Sequence, residues 1–191
     1  MTDHLIKPLS TETWDAFAAL VEKHNGVWGG CWCTSFHGDT EEDGKKTVSA
    51  RAFKQRMVEQ GIAHAALVFE GNDAIGWCEY GTIAELPRIY YRKEYEAGAL
   101  VQPRFRITCF FIDRDHRRAG VSRDALNGAL GLMAAAGGGV VEAYPQDTHG
   151  ERVTASFLYN GTRGLFEKAG FEFERPLGKT KCVMRKTIAA A

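Results

Sequence analysis

A basic loop that contains a glycine, between an apolar segment and a helical segment, is the part of this sequence best suited to bind an anion. A helix that begins at this loop presents unpaired main-chain N–H groups and the positive end of its dipole. The small Gly120 allows the main chain to approach a phosphate closely, and guanidinium groups are strong donors to phosphate oxygens. We therefore predict a phosphate site in the loop Arg117-Arg118-Ala119-Gly120-Val121-Ser122.

Two carboxylates, Glu79 and Glu142, lie within apolar segments that are predicted to be strands. Burial disfavours the charged form of a carboxylate and raises its pKa, so either residue could act as a general base near neutral pH. For both residues the alternative is a side chain that projects into solvent or forms a structural ion pair. The sequence leaves both interpretations open.

The aromatic stretch from Trp28 to Gly38 contains Cys31, Cys33 and His37, which are potential metal ligands. Structural zinc usually needs four ligands, whereas this stretch offers three at an unusual spacing. We therefore predict no metal site, and we interpret the cysteines as ordinary buried thiols flanked by Trp28 and Trp32.

Composition narrows the possible functions. The chain has 191 residues, of which 45% are hydrophobic, enough for a sizeable core in one domain. No apolar run approaches the length of a membrane span, and the five cysteines with a polar N-terminus suggest a reduced, cytoplasmic protein. The 24 basic and 24 acidic residues balance, which argues against nucleic acid as a partner. A nucleic-acid or protein interaction module remains an alternative because of the cluster Arg104, Arg106, Arg114, Arg117, Arg118 and Arg123.

The elements that position these residues follow from hydrophobic periodicity and turn signals. Helices are predicted at 10–23, 46–59, 122–136 and 162–169, and strands at 5–9, 63–69, 74–80, 106–112, 140–144, 171–174 and 181–188. The segment 81–103 is predicted to be a loop with a helical turn at 92–97. The right-handed crossover rule makes strand 106–112 parallel to strand 140–144.

The segment from Arg106 to Ala136 resembles motif A of the GNAT superfamily of N-acyltransferases, whose loop follows the pattern Arg/Gln-x-x-Gly-x-Gly/Ala. Arg117 matches the first position and Gly120 the first glycine, while Ser122 replaces the final glycine or alanine. The segment Leu165-Phe166-Glu167-Lys168-Ala169-Gly170-Phe171 is similar to the family's Leu-Tyr-x-Lys-x-Gly-Phe. The resemblance covers nearly the whole chain.

This resemblance implies one α/β domain over residues 1–191, with a mixed, mostly antiparallel sheet that contains a splayed parallel strand pair and is flanked by helices. It implies direct transfer of an acetyl group from acetyl-CoA to a primary amine, without a metal, and homodimers are common in the family. The loop and Arg123 would bind the phosphates of the cosubstrate. Main-chain groups of Phe110, Phe111 and Ile112 would pair with its pantetheine arm.

The resemblance also suggests roles for residues outside the loop. Glu142 is the preferred base, because its strand would line the splayed site. Many members carry Tyr where this chain has Phe166, which cannot donate a proton, so Tyr159 is the candidate acid, with Tyr144, Cys109 or solvent as alternatives. The acceptor pocket is expected at Trp28, Cys31, Trp32 and Glu79. Because Phe166 removes the usual acid, a non-catalytic acyl-CoA-binding or regulatory domain is the main alternative.

Overall fold

The computed structural model describes residues 4–27, 29–38, 48–98, 101–148, 153–154 and 157–191. One seven-stranded sheet forms the centre of the molecule. The strands are β1 (Leu5–Pro8), β2 (His64–Glu70), β3 (Asp73–Thr82), β4 (Phe105–Ile112), β5 (Gly139–Ala143), β6 (Glu172–Leu177) and β7 (Lys181–Ile188). The helices are α1 (Trp14–Lys23), α2 (Ala50–Glu59), α3 (Arg92–Gly98), α4 (Val121–Ala135) and α5 (Arg163–Lys168).

The strand order is β1-β2-β3-β4-β5-β7-β6, and every neighbouring pair is antiparallel except the parallel pair β4 and β5. This arrangement confirms the predicted mixed sheet and its parallel pair. The two parallel strands are paired only from Phe105 and Val141 to Ile107 and Ala143. Beyond Ile107, β4 stays paired with β3 but no longer with β5, so the strands diverge as predicted.

A β-bulge in β4 lies where this divergence begins. Glu79 on β3 faces Cys109, but the next residue, Tyr80, faces Ile107, which leaves Thr108 as the extra residue of β4. A bulge bends its strand and increases the local twist. The bulge therefore helps to direct the second half of β4 away from β5.

Both faces of the sheet are covered, because the strands are apolar on both sides. On one face α4 buries Leu126, Ala129 and Met133 against the sheet, at the helical spacing predicted from the sequence. On the other face α1 packs Phe17 onto Trp77, with ring centroids 4.9 Å apart. The sheet is thus a rigid support for the loops at the end of β4.

The first two helices begin at later residues than the sequence predicts, and local hydrogen bonds explain the difference. The first helix begins at Trp14 and not at Ser10, because Thr13 Oγ1 donates to the Pro8 carbonyl at 2.8 Å and accepts from the Ser10 amide at 2.9 Å. These bonds hold the preceding residues in a turn. The second helix begins at Ala50, after Ser49 accepts a hydrogen bond from the Ala52 amide. The helical turn predicted at 92–97 is confirmed as α3.

Candidate functional site

A cavity of about 300 Å³ lies beside the end of β4, where the two parallel strands have diverged. The end of β4, the start of α4 and the residues that lead into α5 line it together. The lining residues are Phe110, Phe111, Ile112, His116, Arg117, Arg118, Gly120, Val121, Ser122, Leu158, Tyr159, Gly161, Thr162 and Leu165. The structure therefore brings most of the predicted phosphate loop together with the predicted strand.

The start of α4 exposes main-chain N–H groups to this cavity. Gly120 precedes the helix with φ of +86°, a conformation that favours glycine. Its carbonyl accepts from the amides of Arg123 and Asp124 at 2.9 and 3.1 Å, so the amides of Val121 and Ser122 lie before the first intrahelical bonds. These two amides are available to an anion in the cavity.

The arginines of the loop differ in their positions. The side chains of Arg117 and Arg118 are exposed and line the cavity, and Arg118 has a left-handed φ of +65° that bends the main chain around it. Arg123, which we predicted to bind phosphate, instead donates from Nε to Asp124 at 2.8 Å and does not line the cavity. Ala119 is exposed but is also not part of the lining.

The exposed edge of β4 is partly occupied by the chain itself. The amide of Phe110 donates to the Tyr159 carbonyl at 2.6 Å. This amide is one of those that the resemblance assigned to the pantetheine arm, so it is not free in this structure. A ligand that pairs with β4 in the predicted way has to displace the Tyr159 carbonyl.

A second cavity, of about 250 Å³, adjoins the first, and Tyr159 lines both. Its lining residues are Cys31, Cys33, Ser35, Phe36, Tyr90, Cys109 and Tyr159. The rings of Phe36, Tyr90 and Tyr159 lie within 6.5 Å of one another, measured between centroids. Burial raises the pKa of the Cys33 thiol and of the Tyr159 hydroxyl, so both remain protonated at neutral pH.

The predicted acceptor residues are only partly brought together. Cys31 lines the second cavity, with its Sγ 3.0 Å from Ser35 Oγ. Trp32 is not in its lining: the side chain is buried in the core and stacks on Trp14 with centroids 6.1 Å apart. A large indole gains more from burial than from solvent exposure, which accounts for this difference. Trp28 lies outside the described residues.

Glu79 is fully buried, faces Cys109 in the register of β3 and β4, and forms an ion pair. Its carboxylate accepts from Lys54 Nζ at 2.7 Å and from Thr108 Oγ1 at 2.8 Å, and His37 Nε2 lies 3.4 Å away. Burial acts to raise the pKa of Glu79, but Lys54 and His37 outweigh it and lower the pKa to about 2. The expectation of a raised pKa at Glu79 was therefore wrong, and the residue is a weak base.

Lys54 is a site residue that the sequence analysis did not identify. It is 1% exposed, and its Nζ also donates to the Cys33 carbonyl at 3.1 Å and to His37 Nε2 at 3.1 Å. A signal was present: Lys54 lies three and four residues before the buried Met57 and Val58, hence on the same face of the helix. The ion pair connects the loop that carries Cys33 to the bulge of β4.

Glu142, the preferred base, lines neither cavity. It is fully buried, and its carboxylate accepts from the hydroxyls of Tyr95 and Tyr144 at 2.6 and 2.7 Å and from Arg185 Nε at 2.7 Å. The structure thus places Glu142 in the structural ion pair that was its alternative interpretation. The Tyr144 hydroxyl, an alternative acid, donates to this carboxylate and also lies outside both cavities.

Asn160 and Lys181 are further residues that the sequence did not identify. Asn160 Nδ2 donates to the Thr108 carbonyl at 2.5 Å, and Lys181 Nζ donates to Asn160 Oδ1. The Lys181 ammonium also lies over the rings of Tyr159 and Tyr90, 5.0 and 5.5 Å from their centroids. Burial lowers the pKa of Lys181 to about 8. No local sequence pattern predicts this contact, which joins β7 to the bulge of β4.

Phe166, which replaces the family's usual tyrosine, is a core residue. It is fully buried and packs edge-on against Phe110 and Phe171, with centroids 5.9 and 5.0 Å apart. Among the described residues no cluster of three His, Cys, Asp or Glu side chains could hold a metal ion. His37 Nδ1 instead pairs with the Glu85 carbonyl at 3.0 Å.

Comparisons with known proteins bear on the fold. No protein-family model matches the chain, and neither does any curated protein sequence. Among solved structures, a GNAT-family protein of Desulfovibrio desulfuricans is similar over 98% of this chain and 100% of its own, with a TM-score of 0.56 and 17% identity. A GNAT-family acetyltransferase of Streptococcus agalactiae matches over 97% and 95%, with a TM-score of 0.53 and 16% identity.

A third similar structure is the ribosomal-protein-S18-alanine N-acetyltransferase of Escherichia coli, with a TM-score of 0.51 and 12% identity over 99% of this chain and 96% of that one. These identities are low, so the likeness concerns the fold. The mixed seven-stranded sheet, in which the described strands are antiparallel except for the pair β4 and β5, agrees with it. This chain therefore has the fold of the GNAT N-acetyltransferases.

Proposed function

We propose that this protein is an N-acyltransferase that moves the acetyl group of acetyl-CoA directly to a primary amine of a small acceptor. The observation that carries the proposal is the pair of adjoining cavities that share Tyr159. One cavity has the features of a site for a long phosphorylated thioester, and the other is a small, aromatic, thiol-lined space. Two substrates bound in them would meet at the junction.

The first cavity would hold the cosubstrate by its phosphates and its pantetheine arm. The amides of Val121 and Ser122 would bind the diphosphate, together with the side chains of Arg117 and Arg118. The pantetheine arm would pair with the edge of β4 from which β5 has diverged. That pairing requires the Tyr159 carbonyl to release the Phe110 amide, so we expect the main chain around Tyr159 to shift when acetyl-CoA binds.

In the transfer step the amine nitrogen attacks the thioester carbonyl carbon, a C–N bond forms and the C–S bond breaks. The departing thiolate takes a proton, and Tyr159 is our candidate donor because its side chain lines both cavities at their junction. Burial raises the pKa of its hydroxyl, which keeps the proton available but makes Tyr159 a weaker acid than a free tyrosine. Glu79 and Glu142 are both held in ion pairs, and neither is assigned as the base. The acceptor would lose its proton to water.

A titration of acetyl-CoA into the protein, followed by calorimetry, tests the site. Gly120→Val forces a left-handed residue to carry a branched side chain at the start of α4, and we expect it to abolish binding. Gly61→Val is the matched control, because Gly61 also has a left-handed φ, of +69°, but lies outside the first cavity and has open space around it. Equal acetyl-CoA affinity in both variants would reject the site.

A non-catalytic acyl-CoA-binding domain is a second candidate, favoured by the absence of a free carboxylate among the residues that line the two cavities. Release of CoA in the presence of a panel of amines separates the candidates. Tight acetyl-CoA binding without release of CoA for any amine would support the binding domain. Acceptor-dependent release would support the transferase.

A further inference from the structure

Lys181 is a buried cation that has no carboxylate partner within the part of the chain that the structure describes. Its side chain is 8% exposed, and the contacts of its Nζ are Asn160 Oδ1 and the faces of Tyr90 and Tyr159. A buried charge is costly unless it is paired and hydrogen-bonded. One amide oxygen and two aromatic rings compensate this cost only in part.

The position of the cation is fixed by the fold. Lys181 begins β7, and its partner Asn160 is tied to the Thr108 carbonyl at the bulge where β4 leaves β5. The two rings beneath the ammonium both line the second cavity. Lys181 itself lines neither cavity, so its charge acts on the proposed acceptor site across the rings of Tyr90 and Tyr159.

The electrostatics of the second cavity favour an anion. Its lining consists of aromatic rings, thiols and a serine hydroxyl, with no carboxylate among the described residues. The carboxylate of Glu79, which faces the lining residue Cys109 in the strand register, is neutralised by Lys54 at 2.7 Å. Lys181 is thus an uncompensated positive charge beside a neutral cavity, and in such surroundings its field is screened weakly.

From these observations we propose that Lys181 selects acceptors that carry a carboxylate beside the amine, as free amino acids do. The proposal rests on the transferase function proposed above. A carboxylate in the cavity would be attracted to the ammonium across the rings, and the ring trio of Phe36, Tyr90 and Tyr159 would contact an apolar or aromatic side chain. A cavity of about 250 Å³ suits a single amino acid, and a polyamine would meet a like charge.

Matched pairs of amines test the proposal through CoA release. L-phenylalanine is compared with phenethylamine, and L-leucine with isoamylamine, each pair differing only in the carboxylate. We expect the amino acid to have the higher kcat/KM by about tenfold, because the weakly screened Lys181 charge attracts the carboxylate across the rings without a direct hydrogen bond. Lys181→Gln keeps an N–H donor for Asn160 but removes the charge, and we expect it to abolish the preference by raising KM for the amino acid alone.

Two controls separate this proposal from the function on which it rests. Lys181→Arg restores the charge and should recover part of the preference, and acetyl-CoA affinity, measured by calorimetry, should be the same in all three proteins.

Binding of 3-phenylpropionate and 3-phenyl-1-propanol is measured in parallel, so that the carboxylate preference has a readout that needs no turnover. Equal binding of these two compounds, a preference of the wild type for the decarboxylated amines, or an unchanged preference in Lys181→Gln would each overturn the proposal. Loss of acetyl-CoA binding in the wild type would instead refute the transferase.

Discussion

The buried pair of Lys54 and Glu79 allows a quantitative prediction about stability. Lys54→Met replaces the ammonium with an apolar group of similar length and leaves the Glu79 carboxylate buried without its main partner. Burial raises the pKa of the Glu79 carboxylate and Lys54 lowers it. In the wild type the effect of Lys54 and His37 is the larger, and the pKa falls from 4.5 to about 2. That difference corresponds to about 3 kcal/mol of stability at neutral pH, at about 1.4 kcal/mol for each pKa unit.

The pH dependence of the loss identifies its cause. Because the folded pKa of Glu79 is depressed, its contribution in the wild type is present above pH 4.5 and is lost as the pH falls towards 2. In Lys54→Met burial dominates and raises the folded pKa of Glu79 above its unfolded value. The contribution of Glu79 to stability then has the opposite sign: it is present at low pH and is lost as the pH rises. The variant should therefore be about 3–5 kcal/mol less stable at pH 7.5, and the gap should narrow towards pH 4.5.

Urea denaturation followed by tryptophan fluorescence measures this gap, since Trp77 is fully buried in the core. The double variant Lys54→Met/Glu79→Gln removes both charges and should recover much of the lost stability at pH 7.5. A loss below about 1 kcal/mol, or one that is the same at pH 7.5 and pH 4.5, would show that the reasoning about the pair is wrong.

Two further predictions concern the proposed reaction. Arg118→Ala should weaken acetyl-CoA binding by about 1–3 kcal/mol, the range for loss of a charged hydrogen bond. Arg114→Ala is the control and should leave the affinity unchanged, because Arg114 does not line the cavity. Calorimetry compares the two variants, and equal losses of affinity would contradict the assignment. Tyr159→Phe should lower kcat by about 100-fold or more while acetyl-CoA affinity is retained, and a kcat within about twofold of the wild type in steady-state assays would exclude Tyr159 as the proton donor.

The main-chain features of this site could be predicted from the sequence, because they depend on local patterns. The apolar strand, the turn and the helix that begins after Gly120 occur in one continuous segment, and so does the spacing that implies the parallel pair. The structure confirms these elements to within a few residues. The loop Arg117 to Ser122 therefore lies between a strand and a helix as the sequence predicts, and its role in binding phosphate stays a prediction.

The roles of individual side chains could not be predicted in the same way, because each depends on a partner that is distant in the sequence. Glu142 is paired with Arg185, and Glu79 with Lys54, across 43 and 25 residues respectively. The sign of a pKa change follows from such partners, and hydrophobic periodicity carries no information about them. For the same reason the contact of Lys181 with Asn160 was found only in the structure.

The hydrogen bond between the Phe110 amide and the Tyr159 carbonyl has a consequence for cosubstrate affinity. The Tyr159 carbonyl competes for the same β4 amide that a pantetheine arm would use. The measured dissociation constant then equals the intrinsic one divided by the fraction of molecules in which the edge is open. Substitutions that loosen the segment around Tyr159 would tighten binding without adding any contact to the ligand.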